Sequence, residues 1–359
     1  MSIDAPLPSS PRLMVDLDAV RSNYLLMAAR ANNAATGAAV KADAYGLGLE
    51  KIAPVLAKAG CNSFFCAHVS EGMIARQVLG YDVEIFILNG VQFGEVPLLR
   101  QKHLIPVLST SEHIALWRED GENAPAALHV DTGMNRLGLP WHEGVPDMVK
   151  GLNLTLVMSH LACGSDPAHP MNQQQLERFA VIKAAFAGMR ASLANSAGIL
   201  LGEAWHHDLT RPGIALYGGA PLDEGGPNLA PVAHIEAPVL QVISLRQGQS
   251  VGYGADFTAP KDMMVATVAI GYADGLRRDA SPGGFGRIHD QKVPLIGRVS
   301  MDLSTFDVSD LTKPPKPGDL LCLLGKDLQA LAIASDTLSY EILTGLGPRF
   351  VREYKGCGS

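Results

Sequence analysis

The chain has 359 residues, 47% hydrophobic and 18% charged, which is ordinary globular composition with material for a large core. Its net charge is −7 and no basic cluster stands out, which argues against nucleic acid and anionic membrane surfaces as partners. Five scattered cysteines (Cys61, Cys66, Cys163, Cys322, Cys357) form no CxxC pair, so neither a disulfide framework nor a structural zinc site is expected.

The opening, MSIDAPLPSSPRLMVDLD, has no basic stretch followed by an apolar core. No apolar run approaches the ~18 residues of a membrane span, so a soluble cytoplasmic chain is expected. In LDAVRSNYLLMAARA, Leu17, Val20, Tyr24 and Ala28 recur at helical spacing, with Asp16 and Asp18 where negative charge suits a helix start. AAVK reads as a strand ending on Lys41, and GLEKIAPVLAKAG as a helix closed by Gly60. The alternation continues through SFFCA, SEGMIARQVLG, VEIFILNG, LIPVL, AALHVD, LTLVMSH, the long QQQLERFAVIKAAFAGMR, ASLANS and HHDLTRPG. Strand candidates fall at 38–41, 63–67, 83–88, 104–107, 126–130, 155–159, 191–194 and 207–210. Eight β/α units in a row predict an N-terminal (β/α)8 TIM-like barrel, with a doubly wound open sheet as the alternative.

The pattern then changes. Stretches of period two and turn glycines (APVLQVISLRQGQSVGYG, MMVATVAIGYADG, KVPLIGRVSMDLSTFDV, GDLLCLLG) predict a separate β-rich domain, giving boundaries of 1–232 and 233–359. A short helix over ALAIASDTLSYEILTGLG precedes the end.

In a barrel, ligands sit at the C-terminal ends of the strands, and phosphates favour the loops after strands seven and eight. Lys41 ends strand one; LANSAG (Asn195, Ser196, Gly198) follows strand seven, and TRPGIALYG (Arg211, Gly213, Ile214, Tyr217) follows strand eight. Singly each signal is weak: a lysine at a strand end is usually a solvated rim residue, and NSAG or RPG is usually a turn. Together they bring a lysine, a phosphate cradle and an arginine to one place. That combination suggests pyridoxal phosphate, whose aldehyde needs a lysine and whose phosphate needs an anchor.

The motifs VKADAYGLG, VDTGMNRLG, SHLA, ANSAG, RPGIALYG, IGYADG, IGRVSMD and YEILTGLGPRFVREY resemble, in order, those of the alanine racemase family. They run from residue 40 to 354. The resemblance implies a type III pyridoxal-phosphate fold, a (β/α)8 barrel then a β domain, working as a head-to-tail homodimer with active sites shared at the subunit interface. It makes Lys41 the lysine that holds the cofactor and handles the Cα proton on the D-amino-acid face. Tyr272 becomes the base of the opposite face, reaching in from the other subunit. Tyr45, Asn195, Ser196, Gly213, Ile214 and Tyr354 look like phosphate contacts. Arg211 would meet the pyridine nitrogen, and His160 would hold Arg211 and link towards Tyr272. Arg136 would contact the cofactor's phenolic oxygen and the substrate carboxylate, with the Met301 N–H as a second donor. Arg298 and Asp302 look like residues of the site entrance. No metal is implied.

The chemistry accounts for these residue types. Racemisation removes a proton from one face of Cα and returns one on the other, and two fixed bases do this more simply than one that swings. In water a tyrosine titrates near 10 and a lysine near 10.4, so both need tuning. An arginine at the pyridine nitrogen is a donor that keeps its proton, which suits a racemase.

Three motifs depart from the family pattern. The lysine usual two residues before the aspartate of DTGM, often carbamylated, is His129 here. A neutral His129 is expected, with a chloride or another acidic side chain supplying the missing charge. Leu47 replaces the histidine of AYGHG, and Gly164 and Ser165 replace the AD after SHxAx, with Asp166 one place later. The expected reaction is interconversion of L- and D-alanine, serving peptidoglycan precursors or alanine catabolism. The rival readings are a racemase of other amino acids such as serine or lysine, and a non-catalytic pyridoxal-phosphate-binding protein.

Overall fold

The structure is a computed structural model that describes residues 10–356. The chain folds into two compact units, Val20–Leu229 and a second made of the segment through Ala19 with Ala230 onward. Strand β1 (Arg12–Asp16) belongs to the second unit and begins the described chain.

The first unit is a parallel barrel. Strand β2 comes in two pieces, Ala35–Thr36 and Ala38–Ala39, on either side of Gly37. Then follow β3 (Ser63–Cys66), β4 (Glu84–Ile87), β5 (Ile105–Leu108), β6 (Ala126–Asp131), β7 (Leu154–Met158), β8 (Arg190–Ser192) and β9 (Leu209–Thr210). Neighbours from β2 to β8 pair in parallel, and β9 pairs with Ala35–Thr36. Asp208 N–H to Ala191 O (3.0 Å) and Arg211 N–H to Ala194 O (2.9 Å) join β9 to β8 and close the ring. All eight expected strands are present, and the open-sheet alternative falls.

Strands covered on both faces read as unbroken apolar runs. Every residue of SFFC and IPVL is buried, and the Phe65 and Phe86 rings stack 4.8 Å apart. A phenylalanine fully buried in this way contributes about 1.5–3 kcal/mol. Gly37 is a close-approach position: a Cβ there would lie 2.7 Å from Ser63 O and 2.9 Å from the Phe65 ring. Helices lie between the strands, and Leu49–Lys58 buries an apolar face of Leu49, Ile52, Ala53, Val55 and Leu56.

The second unit is antiparallel for the most part. Besides β1, its main strands are β10 (Ala233–Leu245), β11 (Met263–Val268), β12 (Phe285–Ile288), β13 (Gln291–Ile296), β14 (Ser304–Asp307), β15 (Leu320–Leu324) and β16 (Val351–Lys355). The order is β11-β14-β13-β12-β15-β10-β1-β16, and β10 also pairs with β11, closing a second ring. Strand β1, inside the 1–232 segment assigned to the barrel from sequence, lies antiparallel to β10 and parallel to β16. Its alternating burial needs a sheet with one covered face, which the antiparallel unit provides.

The expected final helix is two helices, Leu328–Ala334 and Ser339–Thr344. Ser335 Oγ bonds back to Leu331 O (2.8 Å), and Asp336 turns left-handed at φ 47°, which ends the first. Among the described residues no helix is long and apolar enough to cross a membrane, and no group of His, Cys, Asp and Glu could hold a metal ion. Cys61, Cys66, Cys163 and Cys322 are free thiols; Cys357 lies outside the described residues.

Candidate active site

The barrel's share of the site sits at the C-terminal ends of its strands. The first strand stops at Ala39, so Lys41 lies just beyond it at the start of a turn rather than within the strand. Burial and the Arg136 guanidinium lower the pKa of Lys41, while Glu71 opposes them. Tyr45 is buried four residues on, its ring stacked 4.6 Å from that of Tyr217.

After β8, Asn195 caps the short helix Ser196–Leu201, its Oδ1 accepting from Gly198 N (2.9 Å). The buried Ser196 Oγ accepts from Gly213 N (2.8 Å) and Ala215 N (3.3 Å), which leaves its own proton to donate. Gly213 precedes a short 3-10 turn, Ile214–Tyr217. Two segments thus begin side by side, and the first N–H groups of each have no partner within it. A Cβ on Gly213 would run into Tyr45 Oη, so glycine is what lets that hydroxyl pack against the backbone here.

Arg211 is 5% exposed. It donates to Ser192 Oγ, to Ser159 O (2.5 Å) and to Leu193 O (3.4 Å), and its guanidinium lies 5.8 Å from the centre of the Phe65 ring. All these partners are neutral. Burial lowers its pKa to about 9, so it still carries its charge at neutral pH.

His129 on β6 and His160 just after β7 flank this arginine electrostatically. Burial, Arg211 and Arg136 push His129 down to about 4 against Asp131, and burial with Arg211 pushes His160 well below its ordinary value. Both are neutral at pH 7, as expected for His129, and Asp131 is the carboxylate that acts on it. Asp131 Oδ1 also accepts from Gly133 N (2.7 Å) and Met134 N (2.8 Å), shaping the loop that carries the exposed Arg136. At the other departures, Leu47 is fully buried, a Cβ on Gly164 would meet that of Ala197, and Asp166 accepts from Ala168 N (3.0 Å).

Gln175 escaped the sequence reading. It is 0% exposed on helix Pro170–Ala185, and its amide donates to Thr132 Oγ1 (3.2 Å) and His160 O (2.9 Å) while accepting from Ala162 N (2.8 Å). It therefore ties the Arg136 loop to the His160 loop. The run Gln173-Gln174-Gln175 gives no periodic signal to single it out.

The second unit holds the other expected residues. Tyr272 is 45% exposed on the turn Gly271–Gly275, anchored by Tyr272 N–H to Ser300 O and Ala273 N–H to Met301 O (3.0 Å each). A Cβ on Gly271 would collide with the Ser300 and Met301 carbonyls, so glycine lets the two loops touch. Met301 and Asp302 are exposed on the second loop, and Arg298 is exposed and paired with Asp256. Tyr354 is half-buried on β16, opposite Val15. Arg349, another residue not singled out from sequence, joins the loops: its guanidinium lies 3.2 Å from Asp274 Oδ1 and 2.6 Å from Asp302 Oδ1.

Comparison with known proteins bears on this arrangement. The model of the alanine racemase N-terminal domain matches residues 15–221, and that of the C-terminal domain matches residues 232–354. The chain belongs to the alanine racemase family. An alanine racemase of Rhodospirillum rubrum is 46% identical over 357 residues, 96% of each chain, and one of Rhizobium meliloti is 43% identical over 98% of each. The crystal structure of the Bartonella henselae alanine racemase, with covalently bound pyridoxal phosphate, is similar at a TM-score of 0.91. It shares 36% identity, over 98% of this chain and 100% of that one.

The neutral His129 makes an acid-sensitivity prediction for this alanine racemase family member. In the unfolded chain the imidazole takes a proton near 6.5; in the fold it stays neutral to about pH 4. Between these values unfolding takes up a proton, so stability falls as pH drops. The slope is up to about 1.4 kcal/mol per pH unit, about 3 kcal/mol in all, and the stability is fully present only above 6.5. Denaturant midpoints at pH 7 and pH 5 should differ less for His129→Asn than for the unaltered protein. Equal differences would remove His129 as a cause.

Proposed function

We propose that this protein is a pyridoxal-phosphate-dependent alanine racemase, interconverting L- and D-alanine with Lys41 and Tyr272 as the two proton carriers. The observation that carries the reading is the enclosed Arg211, a charged donor bonded to neutral oxygens alone. Two residues along from it, the Gly213 amide donates to Ser196 Oγ, and the absence of a side chain on Gly213 leaves room for the Tyr45 hydroxyl. The donor set fits the cofactor: amides and hydroxyls of Tyr45, Asn195, Ser196, Gly213, Ile214 and Tyr354 for a phosphate, Lys41 for an aldehyde, Arg211 for a ring nitrogen.

Bound pyridoxal phosphate draws electrons from the amino acid's Cα and so makes its proton removable. The chain does the rest. Lys41, its pKa lowered by burial and Arg136, takes or returns the proton on the D-amino-acid face. Tyr272, fixed through its backbone to the Ser300–Met301 loop, does so on the other. Arg136 and the Met301 N–H hold the substrate carboxylate. Arg211 would hold the ring nitrogen as a donor that keeps its proton, while neutral His160 avoids adding a second charge beside it. Arg298 and Asp302 line the entrance.

Tyr272 reaches this chemistry from the second subunit of a head-to-tail homodimer in the cytoplasm, so the division of labour is a barrel (Val20–Leu229) that holds the cofactor and a β domain, β1 included, that lends its tyrosine across the dimer. Proton NMR of L-alanine in D2O with the pyridoxal-phosphate-loaded protein, with chiral analysis, tests the reading. Deuterium at Cα together with D-alanine is expected. No exchange would overturn alanine as the substrate.

A further inference from the structure

We propose that Glu71 is a positioning residue for the reaction, its carboxylate clamping the turn that carries Lys41 and Tyr45. The inference rests on the role proposed above for Lys41. Glu71 is the third residue of helix Val69–Leu79. An acid at that position ordinarily reaches back to the amides at the helix start. Its Oε2 does this, accepting from Ala67 N at 2.7 Å and His68 N at 3.3 Å. Its Oε1 does something a cap does not require. It accepts from Ala42 N at 2.7 Å, the amide directly after Lys41 and 29 residues away in sequence.

The turn has reason to need that bond. Ala42, Asp43, Ala44 and Tyr45 have φ of 52°, 54°, 52° and 57°, four consecutive left-handed residues, none of them glycine. Each holds a backbone conformation that a Cβ disfavours, and such strain persists only where the surroundings over-determine it. Inside the turn Ala44 N–H bonds to Val40 O (2.9 Å) and Gly48 N–H to Asp43 O (2.9 Å). Asp43 Oδ1 accepts from Leu49 N (2.7 Å) at its far end. At the near end the amide of Ala42 is held by Glu71 Oε1, and a carboxylate is a stronger acceptor there than a neutral oxygen.

The clamp fixes two functional side chains at once. Lys41 precedes the clamped amide, and Tyr45 closes the turn with its hydroxyl against Gly213. A rotation of the Lys41–Ala42 peptide would displace both. The charge of Glu71 also opposes the burial and the Arg136 guanidinium that lower Lys41, so it bears on this lysine through space as well as through the backbone.

The test compares Glu71→Ala with Glu71→Gln, which keeps an acceptor oxygen, in the full chain. Hydrogen exchange of the peptide covering residues 40–48, read by mass spectrometry without pyridoxal phosphate, reports the clamp directly. Glu71→Ala is expected to speed that exchange about 10–100-fold, the range set by losing a charge-assisted bond. After cofactor loading it should lower kcat for L-alanine about 10–100-fold with KM little changed, as misplacement of a reacting group does. Glu71→Gln should recover most of both. Wild-type exchange at 40–48 in Glu71→Ala, with faster exchange confined to 67–72, would reduce Glu71 to a helix cap and overturn the proposal. So would faster exchange at 40–48 with unchanged kcat. If the unaltered protein turned over no alanine, the functional reading would fail, while the exchange result would still decide the clamp.

Discussion

Replacing Tyr272 by phenylalanine is expected to lower racemisation at least ~100-fold, the low end of what a positioned general base contributes. The change removes one oxygen from a side chain that is 45% exposed, while the turn beneath it is held by backbone bonds to Ser300 and Met301 that phenylalanine leaves intact. Thermal stability and cofactor retention should therefore stay as they are. The two-base assignment makes a sharper demand in D2O. With Lys41 still serving the D face, D-alanine should exchange its Cα proton for deuterium without inversion, and L-alanine should exchange far more slowly. Near-normal turnover, or equal exchange of both enantiomers, would sink the assignment.

The second large effect concerns Lys41. Lys41→Ala removes a base worth ~10²–10⁴-fold and the amine that would hold the cofactor, so a loss of at least ~10³-fold is expected. Its fold should survive, because a lysine whose charge is already disfavoured by burial and by Arg136 is not a stabilising group. The check is chemical: after borohydride treatment of the loaded protein, the unaltered chain should carry the cofactor's mass on the peptide containing residue 41. The variant should carry none at that position. Cofactor fixed to another lysine in the unaltered protein would overturn the assignment whatever the rates.

The barrel and much of what lines it are legible in local sequence patterns. Parallel strands covered on both faces must be short apolar runs, so SFFC, EIFI, IPVL and AALHV announce themselves locally. Because strand ends and the loops after them are contiguous in sequence, Lys41, Asn195, Ser196, Arg211 and Gly213 could be placed at one end of the barrel from their positions alone.

Features that depend on partners far away along the chain are visible only in the folded molecule. Strand β1 alternates buried and half-buried residues, a pattern any half-covered sheet would accept. Its neighbours β10 and β16, more than 200 residues distant, fix where it goes. The left-handed turn after Lys41 contains no glycine to announce it. Gln175, Glu71 and Arg349 each join loops that lie far apart in sequence, through hydrogen bonds or ion pairs whose geometry no local pattern encodes. Local periodicity reports which face of an element is covered. The choice of what covers it, and which buried polar group answers which, is made when the chain closes.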